Sequence, residues 1–236
     1  MIFKIILNRI VSFVTINAFL WDHDGTLFDT QKYHAMVESM ILATYGIILS
    51  AEEITRRFSG VKTRDFFLQL FSQHKIKVNI DEVMTLKWKM MIEIIEKNGL
   101  NFMPGAEWLV KIAKLNGIKQ VIGSASNREF INFCLNKKGI AHYFLGIVSG
   151  EDVKNGKPNP ETWIKCAKLA NTSYDNCFVF EDGDQGIKAA KALKILTFRI
   201  VLPEYFGNEQ KTCLADFVTN DFSNVSFLRN SFTIPT

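Results

Sequence analysis

Two aspartates one residue apart stand in the run Asp22-His23-Asp24-Gly25-Thr26, directly after the apolar stretch Asn17–Trp21. Ser124 and Lys157 follow two later strand-like stretches. Glu181 and Asp182 end a fourth. Clustered carboxylates repel one another unless a cation compensates them. An all-oxygen donor set suits a hard metal, Mg²⁺ in the first place. A carboxylate can also attack phosphorus and carry the phosphoryl group as an aspartyl-phosphate. Metal, lysine and hydroxyl would then neutralise the three equatorial oxygens of that group. Taken singly, each residue is ambiguous. Asp and Gly are common in turns, serines end many strands, most lysines are surface residues, and Glu181-Asp182 could be a capping pair.

The elements that must position these groups alternate. Asn17–Trp21, Lys119–Gly123, Ile147–Ser149, Asn176–Glu181 and Ile195–Arg199 read as strands, with Ala215–Thr219 as a last edge strand. Helices separate them: one after Pro104-Gly105, one capped by Ser126-x-x-Glu129, one opening at Pro160 and one over Gln185–Leu193. Such alternation implies right-handed βαβ units and a parallel sheet. Residues 33–98 show no strand. Helical spacing of Tyr33, Met36, Val37, Met40 and Ile41, a capping box at Ser50-x-x-Glu53, a helix from Thr63 to about Phe71 and an N-cap at Asn79 fill them with helices. The expected fold is therefore α/β: a Rossmann-like three-layer parallel-sheet core, residues 17–32 and 99–236, with an inserted helical domain over 33–98. Ligands of such sheets bind outside the carboxyl ends of the strands, where all the residues above fall.

The 236 residues suit one domain with a large insertion. Hydrophobic residues make up 47% and charged residues 22%, which excludes a disordered or fibrous chain. A net charge of +4 from scattered lysines gives no nucleic-acid-binding stripe, but is compatible with an anionic substrate. Cys134, Cys166, Cys177 and Cys213 have no metal-ligand spacing and are expected as free thiols in the cytoplasm. Residues 1–16 read as a short extension. Their uncharged run, bounded by Arg9 and Asp22, is too short for a membrane-spanning helix.

The run DHDGT after a strand resembles the nucleophile loop of the haloacid dehalogenase-like superfamily. Ser124, Lys157 in KPNP and Glu181-Asp182 follow in that family's order. The helical insertion resembles its C1-type cap, and FMPGAEWL is similar to a family segment. The resemblance, covering about residues 17–200, implies a role for each residue. Asp22 would be nucleophile and metal ligand. Asp24 would be general acid–base, with its backbone carbonyl on the metal. Ser124 and the Ala125 N–H would hold phosphate, and Lys157 would stabilise the nucleophile and the phosphoryl charge. Asp182 would bind Mg²⁺ with Glu181 beside it, directly or through water. The second aspartate separates phosphoryl-transfer members from dehalogenases.

FDTQKYH resembles the β-phosphoglucomutase-like subgroup, with His34 at its cap-hinge position. His34 could equally be an ordinary helix-face histidine. FSGVKTRDFF resembles the cap segment that touches substrate, making Lys62 and Arg64 candidate contacts to a second anionic group. His23 replaces an apolar residue and should point away from the phosphate. Trp21 replaces a Phe. Asp184 is either an acid behind the metal ligands or the N-cap of the following helix. Phe58, Phe66 and Phe67 are cap core or substrate-facing. The expectation is a Mg²⁺-dependent phosphatase of a small phosphorylated metabolite, a monomer or homodimer. The alternatives are a sugar-phosphate mutase and a non-enzymatic binding protein.

Overall fold

In the computed structural model, residues 16–58, 62–201 and 214–224 are described. The expected extension lies outside them apart from Ile16, and so does Cys213. Six parallel strands form one sheet in the order β3-β2-β1-β4-β5-β6. They are β1 (Ala18–Trp21), β2 (Lys119–Gly123), β3 (Gly146–Val148), β4 (Cys177–Glu181), β5 (Leu196–Ile200) and β6 (Phe217–Thr219). Strand β1 pairs with β2 on one side and β4 on the other. The order therefore reverses at β1, and the crevice at its carboxyl end is a topological switch point.

Helices cover both faces, which is why β1 and β4 are apolar throughout rather than alternating. Phe19, Trp21, Phe178, Phe180 and Phe198 face helices α5 (Ala106–Leu115) and α6 (Arg128–Lys137). Ala18, Leu20, Val121 and Val179 face α7 (Glu161–Ala170) and α8 (Asp184–Lys191). The aromatic face is tightly built, with Trp21 stacked on Phe180 at 4.3 Å and Phe180 on Phe198 at 5.5 Å. The Trp21 indole N–H donates to the buried Gln120 Oε1 at 3.0 Å, so the exchange of Phe for Trp brings its own polar partner.

Between β1 and α5 lie four helices: α1 (Gln31–Thr44), α2 (Ala51–Phe58), α3 (Thr63–Gln73) and α4 (Ile80–Asn98). No strand interrupts them among the described residues. Ser50 and Glu53 form the expected reciprocal capping box, and Asn79 caps α4 through the Asp81 N–H. Two expected caps differ. Asn127, not Ser126, caps α6 by accepting from the Phe130 N–H, because the Ser126 hydroxyl is engaged at the site described below. Gly183, not Asp184, is the N-cap of α8; Asp184 opens its first turn and pairs with Arg199 at 2.6 Å. Cys134, Cys166 and Cys177 are buried free thiols.

Candidate active site

The loop after β1 turns back on itself. The Phe28 N–H donates to His23 O at 3.0 Å and the Gly25 N–H donates to Phe28 O at 2.8 Å. This closure places Asp22 and Asp24 over the end of β1 with their carboxylates in different surroundings. Gly25 is required twice. Its φ of +77° suits glycine, and a Cβ there would lie 2.4 Å from Asp182 Oδ2.

Asp22 shares its surroundings with the residues after β3 and β4. Lys157 Nζ donates to Asp22 Oδ1 at 2.5 Å, to Glu181 Oε1 at 2.7 Å and to Gly123 O at 3.0 Å. Glu181 Oε2 accepts from the Gly183 N–H at 2.8 Å. Asp182 accepts from Thr26 and from the Gln31 amide. Oxygens of Asp22, Glu181 and Asp182 lie within 4.8 Å of one another. Burial, opposed by Lys157 but reinforced by Glu181 and Asp24, pushes the Asp22 carboxyl up to about 7. Burial and the charges of Glu181 and Asp22 raise Asp182 well above the usual carboxylate range. Burial works against the Lys157 ammonium, but Asp22 and Glu181 outweigh it and raise its pKa. One lysine thus serves three buried acids, and the site is short of positive charge. Its all-oxygen donors fit a hard divalent cation. Asp24 contributes no carboxylate to this cluster; its backbone carbonyl accepts from Gln31 Nε2 at 3.3 Å.

Asp24 turns to a second set of partners. Its Oδ1 accepts from Thr30 Oγ1 at 2.6 Å, and its Oδ2 from Ser126 Oγ at 2.5 Å and Ser124 Oγ at 3.5 Å. His23 Nδ1 and His34 Nε2 each lie 3.1 Å from Oδ1, as close contacts rather than aligned hydrogen bonds. Burial alone would raise the Asp24 pKa, but the two imidazoles overcome it and hold it well below the usual range. Burial likewise opposes a charge on His23, yet Asp24 raises that imidazole to about 10. His23 is fully buried between Phe28 and Phe130, in a neighbouring contact as expected, but that contact is a partner of Asp24.

His34, on the first turn of α1, faces the site. Its Nδ1 lies 3.0 Å from the ammonium of Lys87, which donates to Thr63 Oγ1 at 2.8 Å and lies 3.3 Å from Glu38. A fully buried lysine of α4 is therefore tied to Asp24 through one imidazole. Burial lowers the Lys87 pKa against the pull of Glu38 and Asp24.

The remaining candidates divide. Ser124 Oγ accepts from the Ser126 N–H at 3.0 Å, and Ala125 lies exposed on the cleft wall. Lys62 lays its stem against the core, where a Cβ on Gly156 would meet its Cε at 2.6 Å. Arg64 is not brought to the acids; its guanidinium pairs with Asp81 at 2.6 Å, and both side chains are exposed. Phe66 and Phe67 are buried core, whereas Phe58 lines the cleft. Ser126, Thr30, Gln31 and Lys87 were given no site role from the sequence. Ser126 carried one misread signal, its resemblance to a helix cap. Thr30 and Gln31 stand in the FDTQKYH run, where only His34 was singled out, and Lys87 stands within α4 with no local mark of function.

Asp22, Asp24, His34, Ser124, Lys157, Glu181 and Asp182 open into one cleft of about 2700 Å³ between the carboxyl ends of the strands and helices α1–α4. The parallel sheet with helices on both faces makes the chain a Rossmann-like α/β protein, with the paired aspartates at its switch point. The family profile described as haloacid dehalogenase-like hydrolase matches residues 19–200, and the chain belongs to that family. A Haemophilus influenzae protein without an assigned role is 32% identical over 171 residues, 72% of this chain and 84% of the relative. A phosphorylated carbohydrates phosphatase of Thermotoga maritima is 27% identical, covering 76% of this chain and 82% of its own. The crystal structure of a β-phosphoglucomutase from Clostridium difficile superposes with a TM-score of 0.75 at 25% identity, covering 92% of this chain and 96% of its own.

Proposed function

We propose that the chain is a Mg²⁺-dependent phosphatase that hydrolyses a small phosphorylated metabolite through an aspartyl-phosphate on Asp22. The observation that carries this reading is the division of labour between the two aspartates. Asp22 sits with Lys157 and the acid cluster, while Asp24 is held apart by hydroxyls and imidazoles. A carboxylate beside a lysine and the donors for a cation suits attack on phosphorus, and one ringed by hydroxyls and imidazoles suits proton transfer. The phosphatase names of relatives, including a fructose-1-phosphate phosphatase of Escherichia coli, support the same class of reaction.

In this reading Asp22 attacks phosphorus in line. The bond to the leaving oxygen breaks, and that oxygen takes a proton from Asp24, which is left as the carboxylate. Asp24 then takes a proton from water, whose oxygen attacks the phosphorus and frees Asp22 and inorganic phosphate. Ser124 and the Ala125 N–H hold the phosphoryl oxygens, and Lys157 offsets their charge. Asp22, Asp182, the Asp24 carbonyl and Glu181 would hold Mg²⁺, which supplies further charge neutralisation when bound. Residues 33–98 act as the cap that closes over residues 17–32 and 99–236 and excludes bulk water. The cytoplasm is the expected compartment; no helix among the described residues is long and apolar enough to cross a membrane.

Transfer to water is favoured over a mutase reaction. A mutase needs a grip on a second phosphate, and two of the three candidates for it are engaged: Arg64 by Asp81, and His34 by Asp24 and Lys87. The test is Asp22→Asn assayed for phosphate release from a phosphometabolite panel with Mg²⁺. Near-complete loss of turnover with the fold retained is expected, and undiminished turnover sinks the assignment. Isomer formation from a hexose 1-phosphate, without phosphate release, would establish the mutase instead.

A further inference from the structure

Helix α4 carries more apolar surface than its own packing uses. Val83, Lys87, Met91 and Ile95 form the row buried against the other inserted helices. One residue further on, about 100° around the helix, Met84, Trp88 and Ile92 form a second row. These three are only partly buried, and they line the cleft that holds Asp22 and Asp24. Ile54 and Phe58 of α2 continue the same wall. An apolar wall facing a water-accessible cleft is unfavourable unless something covers it, and in a ligand site that is the ligand.

Its position says which part of the ligand. The Trp88 ring lies 5.9 Å from the His34 ring, and His34 Nε2 lies 3.1 Å from Asp24 Oδ1. The wall therefore begins one side chain beyond the group that would protonate the leaving oxygen. In the phosphatase reading Asp22, Lys157 and Ser124, at the strand ends, take the phosphoryl group. Trp88 is also braced by the fully buried Phe130, with ring centroids 5.4 Å apart, and by the Lys87 ammonium 4.4 Å from its ring. With an ammonium over its ring, Trp88 is fixed by these contacts, and its part open to the cleft presents a rigid apolar surface at little entropic cost.

We propose that Trp88, flanked by Met84 and Ile92, is the surface that receives the leaving group, and that the preferred substrates carry a closed ring next to the phosphoryl ester. This rests on the phosphatase reading above and names its substrate class. The flat face could belong to a cyclic sugar or to a nucleoside, and the assay separates the two.

The experiment measures kcat and KM for phosphate release from acetyl phosphate, glycerol 3-phosphate, glucose 6-phosphate and uridine 5′-monophosphate. It uses the full chain with Mg²⁺, as wild type, Trp88→Ala and Trp88→Phe. Wild type is expected to favour one ring-bearing ester over glycerol 3-phosphate by about tenfold or more in kcat/KM. Trp88→Ala should lower kcat/KM for that ester about tenfold more than for acetyl phosphate, chiefly through KM. Trp88→Phe should keep most of the preference. Equal losses on all four substrates would make Trp88 a mere brace for Phe130 and overturn the proposal, as would a wild type with no ring preference. Absence of turnover even on acetyl phosphate would overturn the phosphatase reading itself. Turnover of acetyl phosphate without ring discrimination would overturn only the leaving-group surface.

Discussion

His23 shows how one residue can redirect a site. Where the family pattern has an apolar residue, this chain holds an imidazole that is fully buried, 3.1 Å from Asp24 Oδ1. Its pKa is raised to about 10 in the folded protein from an ordinary 6.5. A raised folded-state pKa contributes stability that is complete below about 6.5 and is lost as the pH climbs through about 10. His23→Leu removes one partner of a buried charge pair, a loss on the order of 3 kcal/mol. Urea unfolding at pH 6 should show the variant less stable than wild type by about that amount. Repeated near pH 10.5, the gap should narrow; a gap that stays constant would mean that packing, not charge, accounts for it. The identity of His23 was legible as a departure from the family pattern. Its function was not, because the sequence does not show that Phe28 and Phe130 close over it and leave Asp24 as its charged partner.

At the scale of the element, helix α8 is fitted to the acid that precedes it. A Cβ on Gly186 would sit 1.6 Å from Glu181 Oε1, so the first turn of α8 and the Glu181 carboxylate occupy adjoining space. Gly186→Ala should drive Glu181 out of place while leaving the helix intact, since alanine favours helix over glycine by about 1 kcal/mol. Titration with Mg²⁺ followed by calorimetry should show affinity reduced about tenfold or more, the scale seen when the support of a metal ligand is removed. Unchanged affinity would place Glu181 outside the metal's surroundings. The strand–helix alternation that created this junction was readable, because apolar runs and caps are local. Helix starts were less so. Ser126 and Asp184 have cap-like sequences, but each side chain is bound elsewhere, to Asp24 and to Arg199 respectively.

For the whole molecule, the acid cluster makes stability depend on metal and pH together. Asp22 titrates at about 7 when folded and near 3.8 when unfolded, and Asp182 is shifted the same way. The unfolded chain therefore loses these protons first. The native state is penalised increasingly from about pH 4 to pH 7, and the penalty persists above that. A bound divalent cation removes the penalty and stabilises the native state by mass action. Thermal melts with and without Mg²⁺ should thus show a larger rise in Tm at pH 8 than at pH 5, and a smaller rise for Asp22→Asn. A shift as large at pH 5 would count against metal binding by these carboxylates.

The sequence by itself determined the parallel α/β core, the helical insertion and the residues able to do chemistry. Apolar runs, helical periodicity and short motifs after strands are all written within a few residues of one another. Tertiary structure alone decided what surrounds those residues. The Ser126 hydroxyl meets Asp24 across 102 positions of chain, and Lys87 meets His34 across 53. Lys62 reaches Gly156 while Arg64 turns to Asp81, although the two cations are two residues apart. Such pairings depend on how the inserted helices lie against the sheet, and no local pattern encodes that. The same packing divides two neighbouring aspartates between a lysine-bound acid cluster and a ring of hydroxyls and imidazoles.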